Sequence, residues 1–267
     1  MSKAARTASA DALRLAVDGW CVLDNIIPEA EVEGVLDSVT RTVESSEYLE
    51  DRNFLAHNAE FVRYVADGRM LKLLEELWGR FYRVAWTTPL ILEPGTTRGP
   101  LHIDWPFGTV WLPRSAGIKA PFPDTVLALT TVWMLSPRTR DTVGTIVAPG
   151  SHRSLVDPFV DDRIDPDTPH ATEMHVPWKV GSVLVFDSRL WHTNPEHCGP
   201  EPRITVKVCY APWWLNLQPL DPESSEGRRM AEEFGRTAAP PMPRIPAEAY
   251  RAMPEEVQPL FHHWVSW

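Results

Sequence analysis

With 267 residues, 43% of them hydrophobic and 23% charged, the chain has the composition of a folded globular protein, not of a disordered or low-complexity one. A net charge of −10 without a basic stripe excludes a binder of nucleic-acid backbones, while 12 tryptophans supply the aromatic surface for a substantial core. Three cysteines (Cys21, Cys198 and Cys209), none in a CxxC pair, give neither a disulfide framework nor a thiolate zinc site. No apolar run approaches the roughly 18 residues that span a bilayer, and the N-terminus lacks a signal-peptide core, so a cytoplasmic protein without membrane attachment is expected.

In chain order, residues 1–9 read as a flexible N-terminus and the β-like piece WCVLDNI follows at 20–26. Behind Pro28, well suited to a first helical turn, Val32, Val35, Leu36, Val39 and Val43 recur at helical spacing and predict a helix over 28–43. A second amphipathic helix is predicted over 67–82, with Met70, Leu74, Leu77, Trp78 and Phe81 on one stripe. From residue 83 short β-rich runs alternate with Pro, Gly and Asp: RVAWTTPLILE, LHIDW, VLALTTVWML, GTIVA, GSVLVFD and RITVKVCY. This texture predicts a mainly β, α+β fold, a double-sheet barrel or sandwich with the helices on one outer face, as a single domain over 10–220. Within 221–267 the stretch AAPPMPRIPAEAYRAMPEEVQP cannot be one continuous helix or a central strand, and it reads as a proline-rich arm or lid.

Chemistry concentrates at LHIDW. On a strand, residues i and i+2 point the same way, so His102 and Asp104 converge on one point. Alone, such a pair is more often a surface ion pair than half of a metal site. A third ligand must come from elsewhere on a rigid element. His57, His152, His170, His175, His262 and His263 have no telling companion. His192 closely follows the apolar strand GSVLVFD, whereas its competitor His197 lies in the loop NPEHCGPEP, where an exposed, mobile imidazole is the ordinary outcome. Eleven residues after His192, Arg203 opens the next strand and shares a face with Thr205 and Lys207. A guanidinium on the inward face of an otherwise apolar strand calls for an anion.

Two histidines and one carboxylate form the facial set that suits non-haem Fe(II) and leaves three positions open. A 2-oxo acid chelating the metal would leave one position for O2 and need a fixed cation for its far carboxylate. Arg203, with the Thr205 hydroxyl, matches that need, and 2-oxoglutarate explains both features together.

These segments resemble the phytanoyl-CoA dioxygenase superfamily of Fe(II)- and 2-oxoglutarate-dependent oxygenases. The resemblance covers most of residues 10–215 and rests on an ordered set: LAVDGWCVLDNIIPEAEVEGVLDSV, LHIDW, TTVWMLSPRTRDTVGTIVAPGSHR, GSVLVFDSRLWH and the downstream arginine. It implies a double-stranded β-helix (jelly-roll, cupin-like), with iron on His102, Asp104 and His192 and the C5 carboxylate of 2-oxoglutarate on Arg203. In such relatives a tryptophan lines the cosubstrate pocket. Trp133 matches it, with Thr131 on the same strand face, although a purely core role for Trp133 carries equal weight. The segment 138–144 departs from the turn many relatives show. A long insert, WPFGTVWLPRSAGIKAPFPD, follows the first two ligands and offers Trp105, Phe107, Trp111 and Phe122 as substrate wall, core or subunit contact.

The implied activity is O2-dependent oxidation, foremost hydroxylation, of a C–H bond in a small, rather apolar or aromatic secondary metabolite. Desaturation, cyclisation, endoperoxidation and epimerisation use the same parts. Asp104 disfavours halogenation, and no basic cluster suits the phosphates of an acyl-CoA. A non-catalytic binding protein on the same scaffold and an other-metal hydrolase or isomerase without cosubstrate remain as alternatives, as do monomer and homodimer.

Overall fold

The computed structural model describes residues 8–45, 54–104, 124–137, 144–177, 179–216, 223–234 and 245–266. Ser9 caps the first helix, α1 (Ala10–Asp18), by accepting the Ala12 N–H, and Gly19 ends it with φ at +83°. A side chain at Gly19 would collide with the His152 imidazole, so this position needs glycine for both backbone and space. β1 (Trp20–Leu23) follows, then α2 (Glu29–Ser45), whose buried Val32, Val35, Val39 and Val43 form the expected stripe. The Asn58 side chain accepts the Phe61 N–H at 2.8 Å and starts the short α3 (Ala59–Val62). Asp67 caps α4 (Gly68–Trp78), which buries Met70, Leu73 and Leu74.

The second helix is shorter than its periodicity predicts. Gly79, with φ at +80°, terminates it, and the chain turns into β2 (Tyr82–Leu92). Phe81, expected on the buried stripe, falls in that turn and is 69% exposed.

The β-rich runs become β3 (Leu129–Met134), β4 (Ile146–Val147), β5 (Met174–His175), β6 (Val183–Asp187), β7 (His192–Thr193) and β8 (Arg203–Pro212). An antiparallel five-stranded sheet has the order β1-β6-β3-β8-β2, and a three-stranded one the order β5-β4-β7. Between them pack Val132, Met134, Leu184 and Phe186 with Val147, Val176 and Leu190. The other face of the large sheet buries Trp133, Val183, Val185, Val206 and Val208 in one core with Leu15, Val35, Val39, Phe61, Met70 and Leu74 of the helices. This is the expected jelly-roll with helices covering one sheet.

Residues 245–266 are not an extended arm. They form β9 (Ile245–Pro246), α6 (Ala247–Ala252), α7 (Gln258–Phe261) and β10 (Val265–Ser266), preceded by α5 (Ser225–Phe234). Pro246 and Pro259 sit at helix starts, where a missing N–H costs nothing. Ile245, Phe261 and Trp264 enter the main core. The Trp264 indole and the His263 Nε2 both donate to the Val84 carbonyl, at 2.9 and 3.0 Å, beside the β2 bulge between Val84 and Trp86.

Burial, with the Arg83 cation nearby, pushes the His263 imidazole from its ordinary 6.5 down to about 3. The folded value lies below the unfolded one, so from about 6.5 downward the unfolded chain holds the extra proton and stability falls with pH. Urea unfolding at pH 7 and pH 5 should show the wild type losing about 2 kcal/mol more than His263→Gln, which keeps a donor for Val84. Equal losses in the two proteins would contradict this account.

Among the described residues no helix is long and apolar enough to cross a membrane.

Candidate metal centre

His192 enters β7 from a turn fixed by charge. Arg189 and Asp187, both buried, pair through Nη2–Oδ2 at 2.7 Å and Nε–Oδ1 at 3.0 Å, and the Leu190 N–H donates to the Asp187 carbonyl at 2.7 Å. A hydrogen-bonded buried pair of this kind fixes a loop far better than an exposed one. Trp191 is held at both ends, its N–H by the Ser151 hydroxyl and its indole by the Val156 carbonyl.

The segment carrying the other two ligands is clamped by Arg98. It donates to the carbonyls of Gly99, Pro166 and Asp167, each at 3.2 Å, and to Glu173 at 2.7 Å. His102 and His192 then exchange backbone hydrogen bonds, both 3.0 Å, and the Asp104 N–H donates to Ser188 at 2.8 Å. Residues 101–104 thus form a single bridge rather than a strand, yet the three side chains meet.

One ligand atom from each of His102, Asp104 and His192 lies within 4.8 Å of the others. His192 Nε2 is 3.4 Å from Asp104 Oδ2, and His102 Nε2 is 3.7 Å from Asp104 Oδ1. Each imidazole Nδ1 is 2.9 Å from a backbone carbonyl, Pro100 for His102 and Leu190 for His192. A carbonyl only accepts, so Nδ1 carries the proton and each Nε2 presents a lone pair to the shared point. Asp104 Oδ2 and His192 Nε2 are buried without a hydrogen-bond partner. Lone pairs of three acceptors facing one another in a buried spot repel unless a cation lies between them, and this donor set fits a divalent metal.

The electrostatics favour the ligand forms. Burial, then the neighbouring His192, pushes the His102 imidazole down to about 3, so it is neutral at physiological pH. Burial alone would raise the Asp104 carboxyl, but Lys207 and the two imidazoles outweigh it and hold the group well below the ordinary carboxylate range.

β8 supplies the cations. Arg203 faces Leu92 in register, Thr205 faces Leu90 and Met134, and Lys207 faces Thr88 and Val132. Val132 and Met134 belong to the core between the sheets, so all three β8 side chains share that inward face. Arg203 is buried, and burial pushes its guanidinium down to about 10.

Two expected pocket residues are corrected. Thr131 and Trp133 face Val208 and Val206, on the opposite side of the sheet. The Trp133 ring meets Phe61 of α3 edge-on at 5.1 Å and its indole donates to Thr131 Oγ1, which donates to the Val208 carbonyl. Trp133→Phe should therefore lose roughly 1–3 kcal/mol of unfolding free energy and leave 2-oxoglutarate binding unchanged. Weakened cosubstrate binding at unchanged stability would restore the pocket role.

Trp105, Phe107, Trp111 and Phe122 lie outside the described residues. His197 does not join the metal cluster, but it is no exposed loop imidazole either. It is buried, with its Nε2 2.7 Å from the Glu201 carbonyl. Reading the sequence missed the Arg98–Glu173 and Asp187–Arg189 supports, which carry no local signal beyond charge. It placed Lys207 on the correct face without giving it a role.

A jelly-roll in which two histidines and a carboxylate converge defines a class of non-haem metalloenzyme. Residues 15–205 match the family model described as phytanoyl-CoA dioxygenase. The chain belongs to the phytanoyl-CoA dioxygenase family of Fe(II)- and 2-oxoglutarate-dependent oxygenases, and it is an oxidoreductase. Dioxygenase af480 of Aspergillus fumigatus is 24% identical over 245 residues, spanning 85% of this chain and 72% of the fungal protein. The fold is similar to that of HygX from Streptomyces hygroscopicus, solved with nickel and 2-oxoglutarate, with a TM-score of 0.62 and 15% identity over 83% of this chain and 94% of HygX. It is also similar to the epimerase SnoN, solved with Fe3+, alpha-ketoglutarate and a nogalamycin, with a TM-score of 0.58 and 20% identity over 76% of this chain and 82% of SnoN.

Proposed function

We propose that the chain hydroxylates a C–H bond of a small, rather apolar or aromatic metabolite of secondary metabolism. His102, Asp104 and His192 hold Fe(II), and Arg203 with Thr205 holds the C5 carboxylate of 2-oxoglutarate. The observation that carries this reading is the convergence of three acceptor groups, two of them buried, in a fold whose β8 carries a buried guanidinium on its inward face. Fe(II) bound there with 2-oxoglutarate and O2 supplies an oxidant able to break a C–H bond, the 2-oxo acid leaving as succinate and CO2.

The chain's own residues orient and exclude. The carbonyls of Pro100 and Leu190 keep both imidazoles in the ligating tautomer. The exchanged backbone bonds of His102 and His192 tie the two ligand-bearing segments to one another. Phe186 packs against the His192 ring at a centroid distance of 4.5 Å and keeps water from that side. Arg203, buried and planar, aligns one end of the cosubstrate by a bidentate pair, and alignment of reacting groups supplies much of the rate.

Aerobic incubation of Fe(II)-loaded protein with 2-oxoglutarate should release succinate in proportion to O2 consumed, slowly without primary substrate. No succinate from folded, iron-loaded protein would overturn the reading and favour a binding protein on the same scaffold. Epimerisation is the second outcome of the same machinery, suggested by the similarity to SnoN. Product analysis separates the two, because an epimer keeps its mass and an alcohol gains one oxygen.

A further inference from the structure

Lys207 is a partly buried cation on the inward face of the large sheet. Its place in the β8 register, opposite Val132 and Thr88, turns it to the same face as Arg203 and Thr205. It is half-buried, and among the described residues it has neither a hydrogen bond nor an ion pair. It acts on both Asp104 and His102 electrostatically, so its charge is felt at the cluster.

The charges of the loaded site do not balance without a further anion. A dication, the Asp104 carboxylate, Arg203 and Lys207 sum to three positive charges, and a 2-oxoglutarate dianion cancels two. One positive charge is left on the inward face of β8, where half-buried Lys207 is only partly screened by water. The insert over residues 105–123 cannot neutralise it, because that stretch carries Arg114 and Lys119 and no Asp or Glu. Nor does the cosubstrate need a third cation. Its C5 carboxylate has Arg203 and Thr205, and four residues along a strand place the Lys207 backbone about 13 Å from that of Arg203.

We infer that Lys207 seats an anionic group of the primary substrate, so that the substrate is an apolar or aromatic monoanion, such as a monocarboxylate, rather than a neutral molecule. This rests on the oxygenase reading and narrows its substrate class. Lys207 is thereby a specificity residue for the aromatic or apolar body that the carboxylate delivers to the metal.

The test uses the full chain, loaded anaerobically with Fe(II) and 2-oxoglutarate, and titrated with benzoate and with its neutral analogue benzamide while the visible charge-transfer band is followed. Benzoate should perturb the band at a concentration at least about tenfold lower than benzamide, as a charge-assisted hydrogen bond requires. Lys207→Met should abolish the preference and Lys207→Arg should keep it, while 2-oxoglutarate affinity changes less than about threefold in both. No preference in the wild type, whether both probes bind or neither does, overturns the inference, as does a preference that survives in Lys207→Met. A collapse of 2-oxoglutarate affinity in Lys207→Met overturns it differently, by assigning the lysine to the cosubstrate. Failure of the wild type to form the band at all overturns the oxygenase reading, and this inference with it, and is distinguished from the other results before any probe is added.

Discussion

Asp104→Ala should lower Fe(II) affinity by more than the roughly 10–100-fold typical of losing an outer-shell partner, and succinate release should fall to background. The carboxylate is the only anion among the three converging ligands, and it faces the lone pairs of both imidazoles at 3.4 and 3.7 Å. Without it the site keeps two imidazoles and no anion, with the Lys207 cation acting on His102, a poor environment for a dication. Lys207 and the imidazoles hold the Asp104 carboxyl well below the ordinary carboxylate range, so the folded apo-protein favours the carboxylate and its removal should also cost some stability at neutral pH. Iron binding measured by chelator competition, beside thermal unfolding of both apo-proteins, checks the two halves. Unchanged iron affinity would contradict the metal assignment, and an apo-protein no less stable than the wild type would contradict the electrostatic account of the carboxylate.

Arg203→Met should weaken 2-oxoglutarate roughly 100-fold or more while leaving Fe(II) affinity near wild type. The guanidinium is buried on the inward face of β8, so the anion it pairs with is desolvated and the pair is strong. Arg203→Lys should recover only part of the affinity, because a lysine offers a point charge where a planar fork is needed. Titrating each variant with 2-oxoglutarate at saturating Fe(II) reads this directly. Equal loss of iron and cosubstrate affinity in Arg203→Met would mean that the arginine supports the metal shell instead.

The convergence of His102, Asp104 and His192 and the inward place of Arg203 were legible in the sequence because their chemistry is local. An HxD pair, a histidine set just after an apolar strand and an arginine opening the next one each announce a residue type that a pleated apolar element rarely tolerates. The inward face of β8 could be read from Arg203, Thr205 and Lys207 alternating with Ile204, Val206 and Val208. β3 offers no such contrast. All six of its residues are buried, since one face meets the second sheet and the other the helices, so its sequence does not reveal which side Trp133 takes. Only the pairing of Trp133 with Val206 fixes it.

Other differences have equally specific causes. The apolar spacing of α4 runs on to Phe81, but Gly79 adopts a left-handed φ and ends the helix first. His197 lies in a segment whose Pro and Gly content signals a turn and says nothing of burial, which its bond to Glu201 makes acceptable. The prolines of the C-terminal segment rule out one long helix but are compatible with several short ones starting at proline, and those carry Phe261 and Trp264 into the core.

The most direct measurement is an anaerobic titration of apo-protein with Fe(II) and then 2-oxoglutarate, following visible absorbance in the wild type, His102→Ala and Arg203→Ala. A weak charge-transfer band should appear in the wild type, be absent in His102→Ala, and need far more 2-oxoglutarate in Arg203→Ala. A folded, iron-loaded wild type that forms no band, or a band indifferent to His102, would contradict the assignment of this site to iron and 2-oxoglutarate.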